Sequence, residues 1–262
     1  MTWERDPSRY AGSAAHYARG RVAYPAELAT AFAAELDSDG SGRLLDVGCG
    51  PGSLTLLLAG SFTEAVGLDA DADMLAEADR LARRAGIGHC RWVHRRAEEL
   101  PAGLGRFRLV TFAQSFHWLD RLRVATTVHG MLTRGGVCAH VHATTHEGID
   151  GTVPHAEIAE LVKEYLGRVR RAGRGSPGDE DEIYRAAGFR RRRRFEVPGP
   201  VVTRSADEVV AAVFSLSSST PHLFGDRREE FEADLRELLG RASPEGVFTE
   251  RLREIAVDLW EP

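Results

Sequence analysis

The stretch Leu44-Leu-Asp-Val-Gly-Cys-Gly-Pro-Gly-Ser53 decides the fold. With Arg43 it begins as a short apolar run, and such a run ending in glycines reads as a buried parallel strand. Glycines at 48, 50 and 52 let the backbone turn tightly and approach a ligand without a Cβ between them. Outward from this loop the chain alternates. Residues 54–59 read as helix, 65–69 as strand, 72–84 as helix, 91–94 and 107–113 as strands, and 119–132 as helix. A turn at Arg134-Gly-Gly136 precedes a fifth strand over 137–144. Strands alternating with helices predict right-handed crossovers and a doubly wound, mostly parallel α/β sheet.

The flanks are less regular. Residues from about 8 to 36 suit two helices, with Pro25 in the first turn of the second. Residues 37–42 form a turn and linker. After the core, 154–171 has helical spacing, and 179–187 is a short helix closed by Gly188. Residues 189–197 are a sixth strand, and 206–216 and 227–239 are helices. Ile255, Val257 and Leu259 alternate, which suggests a seventh strand, with a tail helix as the competing reading. The expectation is one domain over 1–262: an N-terminal helical cap (1–42), a ligand-binding core (43–145), and substrate or lid helices with the final strands (146–262).

Composition narrows the function classes. The 262 residues carry 34 Lys and Arg against 39 Asp and Glu, a net charge of −5. That acidic balance lacks the footprint of a nucleic-acid binder. Three scattered cysteines, Cys49, Cys90 and Cys138, build neither a disulfide framework nor a zinc site, and they suit a reducing cytoplasm. The first residues lack the apolar core of a signal peptide. No apolar run is long enough to span a membrane.

The ligand follows from charge around the loop. Asp69 ends the second strand, where a carboxylate can accept both ribose hydroxyls of a nucleoside. A dinucleotide site needs Gly-x-Gly-x-x-Gly and a helix N-terminus open to pyrophosphate. Here Gly48, Gly50 and Gly52 alternate, and Asp46 stands just before them. A carboxylate there repels pyrophosphate and welcomes an ammonium. These features point to a nucleoside with a cationic amino-bearing arm, which describes S-adenosylmethionine.

Four further motifs then resemble one family, the class I S-adenosylmethionine-dependent methyltransferases. Residues 44–52 resemble its first motif and Val66-Gly-Leu-Asp-Ala-Asp-Ala-Asp-Met-Leu75 its second. Arg96-Ala-Glu-Glu-Leu-Pro101 resembles the third, and Phe107 to Asp120, containing Gln-Ser-Phe-His-Trp118, the fourth. Leu132-Thr-Arg-Gly-Gly136 resembles the turn that follows, with Arg134 in place of a proline. The resemblance implies a Rossmann-like seven-stranded sheet with a helical cap and lid insertions. It also implies that Gly48, Gly50 and Gly52 line the methionine arm. Asp46 would hold the ammonium, directly or through water. Asp69 would take the ribose, Ala70 and Met74 would lie by the adenine end, and Ala97 and Glu98 would border the adenine edge. Gln114 would contact the methionine arm or gate the methyl group. Arg96 departs from the family's acidic residue and cannot accept a hydrogen bond. Tyr17-Ala-Arg-Gly-Arg-Val-Ala-Tyr-Pro25 together with Gln-Ser-Phe-His-Trp118 resembles the trans-aconitate-methyltransferase-like branch. There the N-terminal helices close over the cofactor, so Tyr17 and Arg21 are expected at its carboxylate.

Methyl transfer is a displacement at a sulfonium carbon, governed mainly by positioning. A base is needed only when the acceptor carries a proton near neutral pH. His117 is the candidate base, against the alternative that His117-Trp118 merely packs or lines the acceptor. Ser115, Trp118, His146, His222 and Phe224 are candidate acceptor-lining residues, the last two on the stretch 215–224, which reads either as a connecting loop or as a lid. His140, His142 and His146 lack the oxygen partners that magnesium prefers, so no metal is expected. The Arg190–Arg194 run is read as blunting an exposed sheet edge rather than as a nucleic-acid patch. The expected partner is a small-molecule acceptor, with neither nucleic acid nor membrane. The Asn/Asp-Pro-Pro-Tyr/Trp signature of many base-methylating enzymes is missing. A nicotinamide (NAD(P)) oxidoreductase and a non-catalytic S-adenosylmethionine-binding protein are the competing readings.

Overall fold

The computed structural model describes residues 12–37, 39–167 and 179–262. Trp3, Tyr10 and the glycine-rich segment 173–178 lie outside the described residues. In chain order the elements are α1 (Ala14–Gly20), α2 (Ala26–Glu35), β1 (Arg43–Val47), α3 (Ser53–Leu58), β2 (Glu64–Asp69), α4 (Ala72–Arg84) and β3 (Cys90–His94). Then come β4 (Phe107–Ala113), α5 (Arg121–Met131), β5 (Leu132–His142), β6 (Asp150–Gly151), α6 (His155–Leu166), α7 (Glu180–Ala186) and β7 (Arg190–Val197). The chain ends with β8 (Val201–Ser205), α8 (Ala206–Phe214), α9 (Arg228–Ala242), β9 (Val247–Arg251) and β10 (Ile255–Glu261). The described residues form two compact units.

The larger unit draws on residues 24–143, 179–198 and 254–262. Its seven-stranded sheet has the order β3-β2-β1-β4-β5-β10-β7. The first five strands pair in parallel, and β10 runs antiparallel between β5 and β7. The Rossmann-like, mostly parallel α/β fold is therefore present. Both faces of the sheet are covered, which is why β1 reads as an unbroken apolar run. Leu45 and Val47 join the core cluster with Val124, Val128 and Tyr184, from α5 and α7. Leu44 joins the opposite one with Leu28, Phe32 and Leu54, from α2 and α3. Helix α2, expected in the cap, thus belongs to the sheet unit. Asp71 starts α4 by accepting from the backbone NH groups of Asp73 and Met74.

Two local expectations change. The turn at residues 134–136 lies inside β5. There the pairing with β4 slips between Phe107 and Leu109, and Gly135 takes a φ of 74°. A bulge absorbs the extra residues without ending the strand. The seventh strand, β10, is buried at six successive positions rather than on one face, because α-layers or neighbouring strands cover it all round. The arginine run lies on β7, at the sheet edge as expected. Its cations are tied to carboxylates, Arg190 to Glu261, Arg191 to Asp181, and Arg193 to Glu35.

The smaller unit draws on residues 12–23, 144–167 and 199–253. Its three-stranded sheet, β6-β9-β8, is absent from the sequence reading. Phe214, Phe224, Phe231, Leu235 and Phe248 form its core. Gly20 packs so closely on α8 that a Cβ would lie 2.2 Å from the Ala212 nitrogen, so no larger residue fits. Beneath the sheet Arg204 and Glu250 form a buried ion pair at 2.7 Å. Of the two readings of 215–224, the packing favours the connecting loop over the lid. Ser215, Ser219 and Thr220 are buried, and Phe224 stacks on Phe231 at 4.1 Å.

Candidate functional site

The β1–α3 loop is held by a polar lattice. Gly48, Gly50 and Gly52 have φ values of 71°, 54° and 79°, the left-handed region that favours glycine. Their roles then divide. A Cβ on Gly48 would lie 2.5 Å from the Ser115 Cβ, and one on Gly52 would lie 2.8 Å from the Trp92 ring. A Cβ on Gly50 would meet nothing within 4 Å. Two of the three glycines therefore exist for close packing, and only Gly50 opens onto free space.

The backbone donors of the loop are already occupied. The NH groups of Gly48 and Cys49 donate to the Leu68 carbonyl, and that of Gly52 donates to Cys49. The Gly50 NH donates to Oδ2 of Asp69 at 2.8 Å. A phosphate cradle needs such donors free. This loop offers none of those four, which speaks against the pyrophosphate of a dinucleotide.

Asp46 lies under the loop, 1% exposed. Its oxygens accept from Thr55 Oγ1 at 2.6 Å and Thr111 Oγ1 at 2.7 Å, and the carboxylate also accepts from the Thr55 backbone NH. Burial pushes its pKa up to about 6, against the pull of these hydrogen bonds. Asp46 is thus a strut of the loop rather than an exposed ammonium ligand. Thr55 and Thr111 escaped the sequence reading, because nothing in their local pattern signals a buried acceptor. Burial, together with the charges of Asp69 and Asp46, also holds the Cys49 thiol protonated.

Asp69, at the end of β2, keeps the expected place. Its second oxygen accepts from the Asp71 NH at 2.9 Å, so one carboxylate fixes both the loop and the start of α4. The Ala70 carbonyl accepts from Nε2 of His94 at 3.2 Å. Met74 and Ala97 are core residues, 4% and 5% exposed, and any ligand contact from Ala97 falls to its backbone. Glu98 accepts from the Asp120 NH at 3.1 Å and pairs with Arg96 at 3.5 Å. Its carboxylate thus faces the Arg96 charge.

The segment after β4 closes the site. Gln114 has a φ of 55°, strain of about 1 kcal/mol or more for a residue with a side chain. Its Nε2 donates to the Tyr24 hydroxyl at 3.3 Å. Ser115, expected to line the acceptor, is buried and donates to the Val47 carbonyl at 2.6 Å, which locks the β4 end to the β1 end. Phe116 is buried against Tyr184, and this anchors the turn that carries His117 and Trp118. Those two rings are half-buried and 4.7 Å apart.

The remaining candidates lie in the smaller unit. Arg21 stands over the Tyr17 ring at 4.6 Å. It donates to Ser215 Oγ at 2.8 Å, to the Ser215 carbonyl at 3.1 Å, and to His146 Nδ1 at 2.9 Å. Three of its five N–H donors are used there. Burial, then the Arg21 charge, lowers His146 to about 3, so its ring stays neutral and serves Arg21. Phe224 belongs to the core, and His222 is exposed. Among the described residues no cluster of His, Cys, Asp or Glu could hold a metal ion. None of their helices is long and apolar enough to cross a membrane.

Comparison with known proteins bears on the same loop. Residues 44–136 match a family described as a methyltransferase domain. The chain is 35% identical over 112 residues to a malonyl-[acyl-carrier protein] O-methyltransferase of Enterobacter lignolyticus, covering 42% of this chain and 43% of that protein. The chain spans less than half the length of the curated relatives it matches. Among solved structures, the YcgJ protein of Bacillus subtilis superposes with a TM-score of 0.54 at 17% identity, covering 90% of this chain and 98% of that one. Coclaurine N-methyltransferase bound to N-methylheliamine and SAH gives 0.55 at 12% identity, covering 90% and 72%. At such identities these two likenesses establish the fold alone.

Proposed function

We propose that the protein is an S-adenosylmethionine-dependent methyltransferase acting on a small-molecule acceptor, in the trans-aconitate-methyltransferase-like branch. One observation carries this reading. The only loop glycine that faces open space, Gly50, has its NH fixed by Asp69, while the NH groups of Gly48, Cys49 and Gly52 are occupied by backbone carbonyls. The residues present fit S-adenosylmethionine. Asp69 would accept its ribose hydroxyls, the open side of Gly50 would admit the amino-acid arm, and ionised Asp46 would favour the nearby ammonium through its field. The bound cofactor supplies a sulfonium methyl group whose sulfur leaves neutral, so the protein need not protonate a leaving group.

The chain's own residues then position the reactants. Gln114, held in a strained conformation beside Tyr24, borders the methyl group. His117 and Trp118 border the acceptor. The O-methyltransferase relative favours oxygen as the acceptor atom. A small acceptor fits the acidic chain better than nucleic acid, and a cytoplasmic setting suits both cosubstrates.

Calorimetry tests the reading. S-adenosylhomocysteine should bind the full chain and NADH should not. Asp69→Ala should weaken S-adenosylhomocysteine binding at least tenfold. NADH binding in its place would return the oxidoreductase reading, and unchanged affinity in the variant would remove Asp69 from the ribose.

A further inference from the structure

The carboxyl end of β5 carries a cluster that the cofactor site does not use. His142 is the last residue of that strand, and its Nε2 lies 2.9 Å from Oδ2 of Asp258 on the adjacent β10. The Asp258 side chain is 6% exposed and that of His142 is 38% exposed. The carboxylate is therefore buried and the imidazole partly open to solvent. A carboxylate can only accept, so Nε2 carries the hydrogen, and in the neutral ring Nδ1 then holds the lone pair. Nδ1 has no hydrogen-bond partner among the described residues. Carboxylate, imidazole and an unengaged ring nitrogen are the parts of an oriented general base.

The surroundings fix that arrangement. Arg194 reaches Oδ2 of Asp258 at 3.2 Å, and Arg191 reaches Oδ1 at 3.4 Å, both from β7. Burial would raise Asp258, but the hydrogen bond from His142 and the arginine charges hold it below its ordinary value, so it stays a carboxylate. His140, two residues back on the same strand face, stacks on the His142 ring at 4.3 Å and 13°. Burial, then the charge of His142, keeps His140 neutral, lowered to about 3. The charges of His117, after β4, and Arg121, on α5, also act at His140. Since β4 and β5 are parallel neighbours, His142 stands at the sheet end where open α/β folds bind their ligands.

We propose that His142 and Asp258 form a proton-accepting dyad for methyl transfer to a hydroxyl acceptor of phenol type. The proposal rests on the methyltransferase reading above. Nδ1 of His142 takes the acceptor's proton as the acceptor oxygen bonds to the methyl carbon. The methyl carbon–sulfur bond breaks, and its electron pair goes to sulfur, leaving a neutral thioether. Asp258 balances the imidazolium until the proton passes to water. A carboxylate acceptor carries no proton near neutral pH and would leave the dyad idle.

Two measurements on the full chain test this. Nitrogen-15 NMR of the histidine side chains should show neutral His142 as the Nε2–H tautomer in the full chain. An Nδ1–H tautomer overturns the dyad. Methyl-labelled S-adenosylmethionine should transfer label to a pool of phenols. His142→Gln keeps Asp258 with its arginines, and it should cut that transfer about 100-fold or more while S-adenosylhomocysteine affinity stays within twofold. Unchanged transfer overturns the base role. Label entering only a carboxylic-acid pool, or neither pool, overturns the hydroxyl acceptor. Failure of the wild-type chain to bind S-adenosylhomocysteine overturns the methyltransferase reading instead.

Discussion

Asp46 and Glu250 are both about 1% exposed, Asp46 the more deeply set, and their carboxylates shift in opposite directions. Asp46, under the glycine loop of the sheet unit, is held by two hydroxyls and a backbone NH with no cation beside it, and it rises to about 6. Glu250, in the three-stranded sheet of the smaller unit, would also be raised by burial. Hydrogen bonds from His155 and Arg204 and the Arg204 charge more than reverse this, and it falls to about 2. Neutral donors satisfy a buried carboxylate without stabilising its charge as a cation does. One unit keeps an uncompensated charge where a cationic ligand is proposed to bind. The other has compensated its charge fully and uses it as a tie. Arg204 also donates to the carbonyls of Gly20 and Glu208, joining α1, α8 and β8 within that unit.

The largest expected effect breaks the compensated pair. Glu250→Gln leaves Arg204 buried without its counter-charge and should cost about 3–5 kcal/mol in denaturant unfolding. Replacing both, as Arg204→Met with Glu250→Leu, should recover only part of that loss, because the carbonyls of Gly20 and Glu208 lose their donor. If the single variant is as stable as wild type, the tie is not structural.

The pH dependence of stability should separate the two carboxylates. Glu250, lowered when folded, contributes stability that is present above about pH 4.5 and lost as pH falls toward 2. Asp46, raised when folded, works the other way. Its contribution is full below about pH 4 and declines as pH rises to about 6, by on the order of 3 kcal/mol. In Asp46→Asn, unfolding measured between pH 4 and 7 should lose that decline. An unchanged profile would mean that Asp46 titrates normally.

Smaller effects distinguish the glycines. Gly48→Ala meets Ser115 as well as an unfavourable φ, so it should cost more stability than Gly50→Ala, whose penalty is about 1 kcal/mol. Gly50→Ala should nonetheless be the one that weakens S-adenosylhomocysteine binding at near-native stability. Equal losses of affinity and stability in both would erase the distinction. The smallest effect belongs to the exposed edge pair. Arg190→Ala should change the unfolding free energy by less than about 1 kcal/mol, because exposed ion pairs contribute little.

The same contrast explains what could be read in advance. In the sheet unit, glycines and apolar runs are local signals, and β1, β2, α4 and β4 fall within a residue of their expected bounds. The loop, Asp69 and the segment after β4 followed from position. The strands β8 and β9 did not, because their inward positions include Arg204 and Glu250, and charged residues at buried sites mask the alternation. Contacts between distant segments were equally silent. Nothing near Ser115 announces Val47, nothing near His142 announces Asp258, and nothing near Arg21 announces Ser215 and His146. Buried polar pairs are set by tertiary register, which single positions do not encode.

The most direct test is a crystal structure of the full chain with S-adenosylhomocysteine. The account predicts both ribose hydroxyls on Asp69 and the amino-acid arm across the open side of Gly50. A ligand seated elsewhere, or a ribose away from Asp69, would contradict it.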